Sequence, residues 1–293
     1  MSRYTICVAL LAWSCAPDTT EVDRLVERGR VLYLNGEYDA AIDSLNRAVA
    51  LDDSRVLACL YLSRANLRLN RHDEAGRAIA RALELDPDRP SLYEILGNIH
   101  VSRYTAYAYT ETGEADLKAA VAAFRKAIAM DGGSSQAHYN LGVVYGFLDS
   151  TRLAGESFAA ALDADSTLGA AHKKLGIIHR TSGRLQPSAA SLEKATSLTP
   201  DDAEAHYQLG LVRRDAGEFE KAAASLEKAA GLDPISPKIG FSLGNVYNRL
   251  GRFEEGSRVL AAAERRRERL GRQYSEATPP RGGALSIGSP NDR

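Results

Sequence analysis

The motif Ala-His-x-x-Leu-Gly occurs three times in this chain, at residues 137–142, 171–176 and 205–210. Each copy begins 34 residues after the previous one, and one more step of 34 residues leads to Leu243-Gly244. A constant period of this length indicates that one small structural unit is stacked on copies of itself. The chain is therefore predicted to be a solenoid, a fold class that offers extended binding surfaces.

One copy of the repeat, residues 203–236, shows what each unit contains. Its first half carries a stripe of residues at helical spacing, and Gly217 interrupts that stripe as a glycine does at the end of a helix. A second stripe runs from Phe219 to Ala229, and Pro234 closes the unit because proline cannot continue a helix interior. Each unit is predicted to be a hairpin of two short antiparallel helices, which are stable only when stacked on their neighbours.

Anchor residues recur in register along the whole array. These are the Leu-Gly pair (at Leu96, Leu141, Leu175, Leu209 and Leu243), the turn glycine (Gly36, Gly183, Gly217, Gly251), and two small residues at the helix contact (Ala41 and Ala48 in the first unit). The pattern resembles the tetratricopeptide repeat, a 34-residue helix–turn–helix unit. The resemblance implies an all-α, right-handed solenoid over residues 22–270, with seven repeats at 22–55, 56–89, 90–134, 135–168, 169–202, 203–236 and 237–270.

The third unit departs from the period by 11 extra residues around Val101–Asp116. We expect an extended first helix and an enlarged turn in this hairpin. The segment carries Tyr104, Tyr107 and Tyr109. It is either a contact point for a partner or a loop that covers its own rings, and we favour the second interpretation.

The N-terminus differs in kind from the repeats. Arg3 precedes an apolar stretch from Ile6 to Trp13, and Cys15 follows directly after small residues. This resembles a bacterial lipoprotein signal, with residues 1–14 removed, Cys15 lipidated and residues 15–21 a linker. The resemblance implies a lipid-anchored protein that faces the periplasm, and Ala16 favours the outer membrane. The alternative is an unprocessed start that packs its apolar side on the first repeat.

The C-terminus combines a basic helix with a polar tail. The last helix is expected to end at about Leu270 and carries four arginines between Arg265 and Arg269. We interpret them as a solvated helix end whose charge complements the helix dipole. Residues 271–293 are rich in Gly, Pro and Ser and are predicted to be disordered. The net charge of −1 gives no general attraction for nucleic acid, and none is expected as a partner.

The sequence contains little that indicates catalysis. His138, His172 and His206 stand where the family has Trp, one in each repeat, and neighbouring helices lie about 8–10 Å apart. Three such rings cannot reach one zinc ion at about 2.0–2.1 Å, so they are interpreted as wedges between hairpins. Cys59 is expected to be a buried apolar residue. We predict no enzyme activity, no cofactor and no metal site.

In the tetratricopeptide family the first helices line the inner groove, where a peptide or partner helix lies. Aromatic and arginine side chains contribute much of the binding energy at interfaces. The resemblance therefore implies a scaffold whose groove binds a partner segment with apolar anchors and acidic residues. The predicted groove residues are Tyr139, Asn140, Val143, Phe147, Lys173, Lys174, Ile177, Arg180, Tyr207, Gln208, Leu211, Arg214, Phe241, Asn245, Asn248 and Arg249.

Two alternatives to this scaffold function remain open. The chain could be a soluble cytoplasmic adaptor in a regulatory complex, or a module that binds an envelope polymer through groove aromatics. Some family members bind acidic chaperone tails through a Lys/Asn/Arg clamp. Here Lys173 matches the lysine, but Ile177 stands where the clamp needs Asn, so this specialisation is not expected.

Overall fold

The computed structural model describes residues 19–107 and 112–277, and these residues form helices joined by short turns. The helices are α1 (Thr19–Leu34), α2 (Tyr38–Leu51), α3 (Val56–Arg68), α4 (His72–Leu85), α5 (Pro90–Tyr107), α6 (Thr112–Met130), α7 (Ser135–Phe147), α8 (Thr151–Ala164), α9 (Gly169–Thr181), α10 (Leu185–Leu198), α11 (Ala203–Asp215), α12 (Phe219–Leu232), α13 (Pro237–Arg249) and α14 (Phe253–Ala277).

The helices fall into two compact units, divided between Thr167 and Leu168. The first unit contains the four hairpins from α1/α2 to α7/α8, and the second contains the three hairpins from α9/α10 to α13/α14. Within each unit, the second helix of a hairpin contacts the first helix of the next hairpin, and successive first helices also touch. Each unit is thus a stack of helical hairpins, which confirms the predicted all-α solenoid class with seven repeats.

Glycine at the Leu-Gly position allows the two helices of a hairpin to approach closely. A Cβ built on Gly210 would lie 2.6 Å from Leu226 Cγ, and one built on Gly142 would lie 2.8 Å from Phe158 Cε1. In the second hairpin Ser63 occupies this position, and its hydroxyl donates a hydrogen bond of 2.9 Å to the carbonyl of Ala75. The large side chain of the second helix therefore rests directly on the backbone of the first helix.

The short turn inside each regular hairpin contains a residue in the left-handed region. Gly36, Gly183, Gly217 and Gly251 have φ between 72° and 82°. In two hairpins a non-glycine residue takes this conformation, Asn70 at φ 57° and Asp149 at φ 53°. Asn and Asp tolerate the left-handed region better than other residues with a Cβ, so the turn geometry is kept without glycine.

Small residues fill the contact between the paired helices, as the repeat register predicted. The residues at the repeat position of Ala41 are buried in every hairpin, and in two hairpins Ser188 and Gly256 take the place of alanine. The second set is alanine in every hairpin and has no solvent exposure: Ala48, Ala82, Ala127, Ala161, Ala195, Ala229 and Ala263. The alanine positions read from the sequence are therefore the core positions of the fold.

The third hairpin corrects our expectation for the 11 extra residues. Its first helix, α5, has 18 residues, compared with 13 in α7, and its second helix, α6, has 19, compared with 14 in α8. Five extra residues thus lie in each helix, and only one is left for the connection. Adding turns to both helices satisfies the added backbone groups internally, whereas a long loop would not.

The two ends of the chain differ in how far the structure describes them. The last helix continues to Ala277, so the first residues of the predicted tail, 271–277, are helical, contrary to our expectation of an end near Leu270. The remaining tail, the predicted signal and Cys15 lie outside the described residues. Among the helices that are described, none has the length and apolar character needed to cross a membrane.

Candidate functional site

The predicted groove residues lie on first helices, but in two separate units. Four of them are on α7 in the first unit, and the other twelve are on α9, α11 and α13 in the second unit. In the second unit α11 contacts both α9 and α13. We call the exposed side of these three helices the first-helix surface.

Acidic residues neutralise most of the predicted cations where α9 meets α11. Lys173 Nζ lies 2.5 Å from Asp202 Oδ2, and Arg180 Nη1 lies 3.4 Å from Asp215 Oδ2. Arg214 contacts the same carboxylate at 2.7 Å. Asp215 is therefore shared by two guanidinium groups. These ion pairs leave three of the predicted cations unavailable to an acidic partner: Lys173, Arg180 and Arg214.

The carboxylate of Asp202 makes two kinds of interaction at this contact. Its carboxylate accepts a hydrogen bond of 3.0 Å from the backbone N–H of Ala205, which caps the N-terminus of α11, and it also pairs with Lys173. Burial alone would raise the pKa of Asp202, but the hydrogen bonds from Lys173 and from the helix N-terminus outweigh that effect. The pKa of Asp202 therefore lies below its ordinary value of 3.8.

The contact between α11 and α13 contains a second polar cluster. Lys238 Nζ lies 2.5 Å from Glu204 Oε2 and 5.0 Å from the ring centroid of Tyr207. Gln208 donates a hydrogen bond of 2.7 Å to the same carboxylate. The hydrogen bond to Glu204 is the main reason why the pKa of Lys238 is raised. Tyr207 is also partly buried against the core around Leu226. Its ring therefore contributes to the packing of the fold.

The remaining predicted residues of the second unit divide into exposed and buried ones. Leu211 is only 6% exposed, which corrects its assignment to an open groove: α11 is the middle first helix of its unit and is covered on both sides. Asn245 and Arg249 are exposed, while Phe241 is half-buried under Arg267 at 6.0 Å. Lys174, Ile177 and Asn248 are half-buried.

On α7 in the first unit, the predicted residues contact neighbouring side chains. The ring of Tyr139 lies 5.5 Å from Phe158, and Asn140 donates a hydrogen bond of 2.9 Å to Asn98. Val143 is half-buried. Phe147 is 41% exposed and stacks on Tyr104, from the extended α5, at 5.1 Å. The ring of Tyr104 is therefore covered by the following hairpin, while Tyr107 and Tyr109 have no described side chains.

The histidines of the repeat motif hold the loops between hairpins. His138 Nε2 lies 3.2 Å from the carbonyl oxygen of Gly132, and His206 Nε2 lies 3.1 Å from that of Pro200. Tyr93, at the same register position, donates to the carbonyl of Pro87 at 3.0 Å. Each ring reaches a carbonyl six residues earlier, which replaces our interpretation of these rings as simple wedges. Within the described residues, no group of three potential ligands could hold a metal ion.

A cluster of aromatic and arginine side chains on the first two hairpins was missed by the sequence reasoning. Tyr33 lies 5.7 Å from both Tyr38 and Tyr61, and Arg64 and Arg68 lie over the rings of Tyr61 and Tyr38 at 5.8 and 5.6 Å. Counting back from the groove positions of later repeats leads to Tyr33 and Arg64. The same register would therefore have found them, but we applied it only from the fourth repeat onward.

The family comparison agrees with this repeat geometry. The profile of the tetratricopeptide repeat matches residues 26–90 and 173–237. These two segments are therefore identified as tetratricopeptide repeats. Such repeats generally mediate protein–protein interaction. Comparison with curated protein sequences gave no match.

Several solved structures share the fold of this chain. A thermophilic tetratricopeptide repeat protein of Thermus thermophilus, TTC0263, is 24% identical, with a TM-score of 0.54 over 65% of this chain and 98% of its own. YrrB, described as having an unusual peptide-binding site, is 20% identical, with a TM-score of 0.54 over 69% and 98% of the two chains. PilF of Pseudomonas aeruginosa is 15% identical, with a TM-score of 0.65 over 74% and 93%. At these identities the similarity establishes the fold.

Proposed function

We propose that this protein is a non-catalytic scaffold that binds a segment of a partner protein on the first-helix surface of its second unit. The supporting observation is the pair of rings Tyr207 and Phe241, one repeat apart, which are partly exposed and each lie beside a cation. Partly exposed aromatic rings at a regular spacing suit the apolar anchors of an extended or helical segment.

The charges of the first-helix surface restrict the residue types that we expect in the partner segment. Lys173, Arg180 and Arg214 are already paired with Asp202 and Asp215. Among the described residues, Lys174 and Arg249 form no salt bridge, so these two are the cations available to acidic side chains of the partner. The proposed partner segment therefore has apolar anchors as its main feature and few acidic residues.

A crosslinked pull-down from native cells tests the binding surface. The bait Tyr207→Ala/Lys174→Glu is compared with wild type and with the control Lys194→Glu, which changes an exposed lysine on α10, a second helix. We expect one set of proteins to be lost with the first variant and kept with the control, since only the first removes a ring and a cation from the surface. Recovery of the same proteins with all three baits, with equal melting temperatures, would show that this surface is not the binding site.

We further propose that the protein is held in a bacterial envelope by lipid on Cys15, facing the periplasm. The support is the sequence alone, namely an apolar stretch from Ile6 to Trp13 that is followed by Ser14 and Cys15. Replacement of Cys15 by Ala should move the protein from the membrane fraction to the soluble fraction, because the lipid supplies the membrane affinity. Mass spectrometry of the wild-type N-terminal peptide should show the added acyl chains. A protein that is found in the soluble fraction both as wild type and as Cys15→Ala would instead favour a cytoplasmic adaptor.

A further inference from the structure

The helix dipole does not account for the arginines of the last helix. α14 continues to Ala277, and its last turn contains no basic residue. Arg269, the last of the four clustered arginines, lies eight residues before that end. Because a helix dipole acts mainly on charges within about one turn of the helix end, it does not stabilise this cluster. Our interpretation of the arginines as a charged helix end is therefore wrong.

Ion pairs account for only one of these arginines. Arg265, Arg266 and Arg269 form no salt bridge with a described residue, whereas Arg267 is paired with Glu264. Arg265 and Arg269 are four residues apart on the helix, a distance at which like charges repel each other. The cluster thus lowers the stability of α14, and an anionic ligand bound to it would remove that repulsion.

Three exposed arginines form a row along one face of α14. Arg258, Arg265 and Arg269 are separated by seven and four residues, a spacing that places them on the same side of a helix. Gly256 and Ala263 are buried on the opposite side, which faces α13. Arg258 also forms no salt bridge with a described residue. We call Arg258, Arg265 and Arg269 the arginine row.

The arginine row lies on a helix that extends beyond its hairpin. α14 has 25 residues, whereas its partner α13 has 13. About three turns of α14 therefore continue past the start of α13. Leu270, which follows the last arginine of the row, is 46% exposed on this projecting part. The row itself spans about 16 Å, so it forms a straight and exposed strip of positive charge.

The composition of this face favours binding by charge over binding by shape. From Arg258 to Arg269 the chain has five arginines and two glutamates, although its net charge as a whole is −1. Between the arginines the face carries Ala261 and Ala262, which are too small to act as anchors. Protein interfaces generally have aromatic or other large apolar anchors at their centre. The row therefore suits an extended anionic surface better than a shaped segment of protein.

We propose that the arginine row binds the anionic head groups of a phospholipid membrane, with α14 lying along the membrane surface. Each guanidinium group forms two parallel hydrogen bonds to a phosphate, and lipid head groups move until they match the spacing of the arginines. Basic segments bind anionic leaflets through the sum of such contacts. The exposed Leu270 favours lipid over nucleic acid, because apolar chains lie beneath the head groups and a sugar–phosphate backbone offers no such contact.

This inference depends neither on the first-helix surface nor on lipid at Cys15. The row is on a second helix and lies outside the first-helix surface. The test uses the full chain with Cys15→Ala, which cannot carry the lipid. Binding by the row and anchoring by lipid are therefore measured separately, and either hypothesis can fail without the other.

Sedimentation with lipid vesicles tests the arginine row. The vesicles contain phosphatidylglycerol and phosphatidylcholine in equal parts, or phosphatidylcholine alone. The row is changed by Arg265→Glu/Arg269→Glu. The matched control is Arg28→Glu/Arg47→Glu, which reverses two exposed arginines of the first hairpin that form no salt bridge with a described residue and lowers the net charge equally. Thermal melting followed by circular dichroism checks that both variants are folded.

We expect the chain to bind the vesicles that contain phosphatidylglycerol. Binding should weaken by about tenfold or more with Arg265→Glu/Arg269→Glu, because two attractive contacts become repulsive, and by no more than about twofold with the control. It should also weaken as salt is added, since exposed charges are screened.

Three results would overturn the proposal. The first is the absence of binding to the phosphatidylglycerol vesicles. The second is binding that Arg265→Glu/Arg269→Glu weakens no more than the control does, which would reflect net charge or the apolar N-terminal stretch shared by all variants. The third is binding to a short DNA duplex in fluorescence anisotropy but not to the vesicles, which would identify nucleic acid as the ligand of the row.

Discussion

At the scale of single residues, the sharpest constraint on this fold is the left-handed turn inside each hairpin. A residue with a Cβ loses about 1–2 kcal/mol in this conformation, and only Asn and Asp accept it with any ease. The positive φ of Asn70 and Asp149 shows that both substitutes occur at the position where the other short turns have glycine. The turn conformation is therefore required at this position even where glycine has been replaced.

Gly217, at φ 78°, provides a direct test of that requirement. We expect Gly217→Ala to lower the free energy of unfolding by about 1–2 kcal/mol, because alanine is strained in the left-handed region. The control is Gly231→Ala, in the last turn of α12, where a Cβ meets nothing within 4 Å; alanine there should not lower the free energy of unfolding. Urea unfolding followed by circular dichroism measures both. A midpoint that Gly217→Ala leaves unchanged would contradict the argument.

At the scale of helices, neighbouring hairpins are joined by side chains that serve two elements at once. Asp202 caps α11 and pairs with Lys173 of α9, and its pKa is lowered as a result. A carboxyl group whose pKa is lower in the folded state stabilises the fold above its unfolded pKa, near 3.8. That stabilisation is lost as the pH falls through the folded pKa.

Asp202→Asn should therefore flatten the loss of stability as the pH falls through 3.8 and below, since asparagine still caps a helix but does not titrate. Asp201→Asn changes the neighbouring exposed residue and should leave the pH dependence as in wild type. Thermal melting of the three proteins at a series of pH values measures the effect. Equal acid sensitivity of wild type and Asp202→Asn would mean that the ion pair with Lys173 contributes nothing.

The helices themselves could be predicted from the sequence, whereas their lateral contacts could not. The 34-residue step fixes the Leu-Gly pairs and the alanines, because those positions face the partner helix in every hairpin. It does not show that the extra residues near Val101 lengthen both α5 and α6, since a loop would keep the same register. Nor does it show that Lys173 meets Asp202 or that Leu211 is covered, because both depend on how far neighbouring first helices approach.

At the scale of the whole molecule, phenylalanine at one repeat position has different surroundings in an internal hairpin and in the last described hairpin. Phe219 begins α12 and packs against the core that includes Leu243 and Val246 of the following hairpin. Phe253, one repeat later, begins α14 and is 65% exposed. The described chain contains no further hairpin that covers it. The stability that the aromatic ring contributes at this position therefore depends on the presence of a following hairpin.

The substitution Phe219→Ser should lower the free energy of unfolding by about 2–3 kcal/mol, because it removes a ring that is packed between two hairpins. Phe253→Ser, at the equivalent position, should change it by no more than about 0.5 kcal/mol. Chemical denaturation of both variants gives the comparison. Similar losses would mean that Phe253 is covered in the native protein.

The close glycine contacts also affect how such a chain can change in length. Because Gly142, Gly176 and Gly210 each receive a side chain from their own hairpin, each of these three hairpins carries its internal contact within one 34-residue block. A duplication or deletion of one whole block keeps each of these contacts paired, and an insertion shared by both helices of one hairpin, as between Gly97 and Phe124, keeps the contact as well. Unequal recombination between the coding segments of two repeats would therefore add or remove complete hairpins, and binding area could be gained in fixed increments.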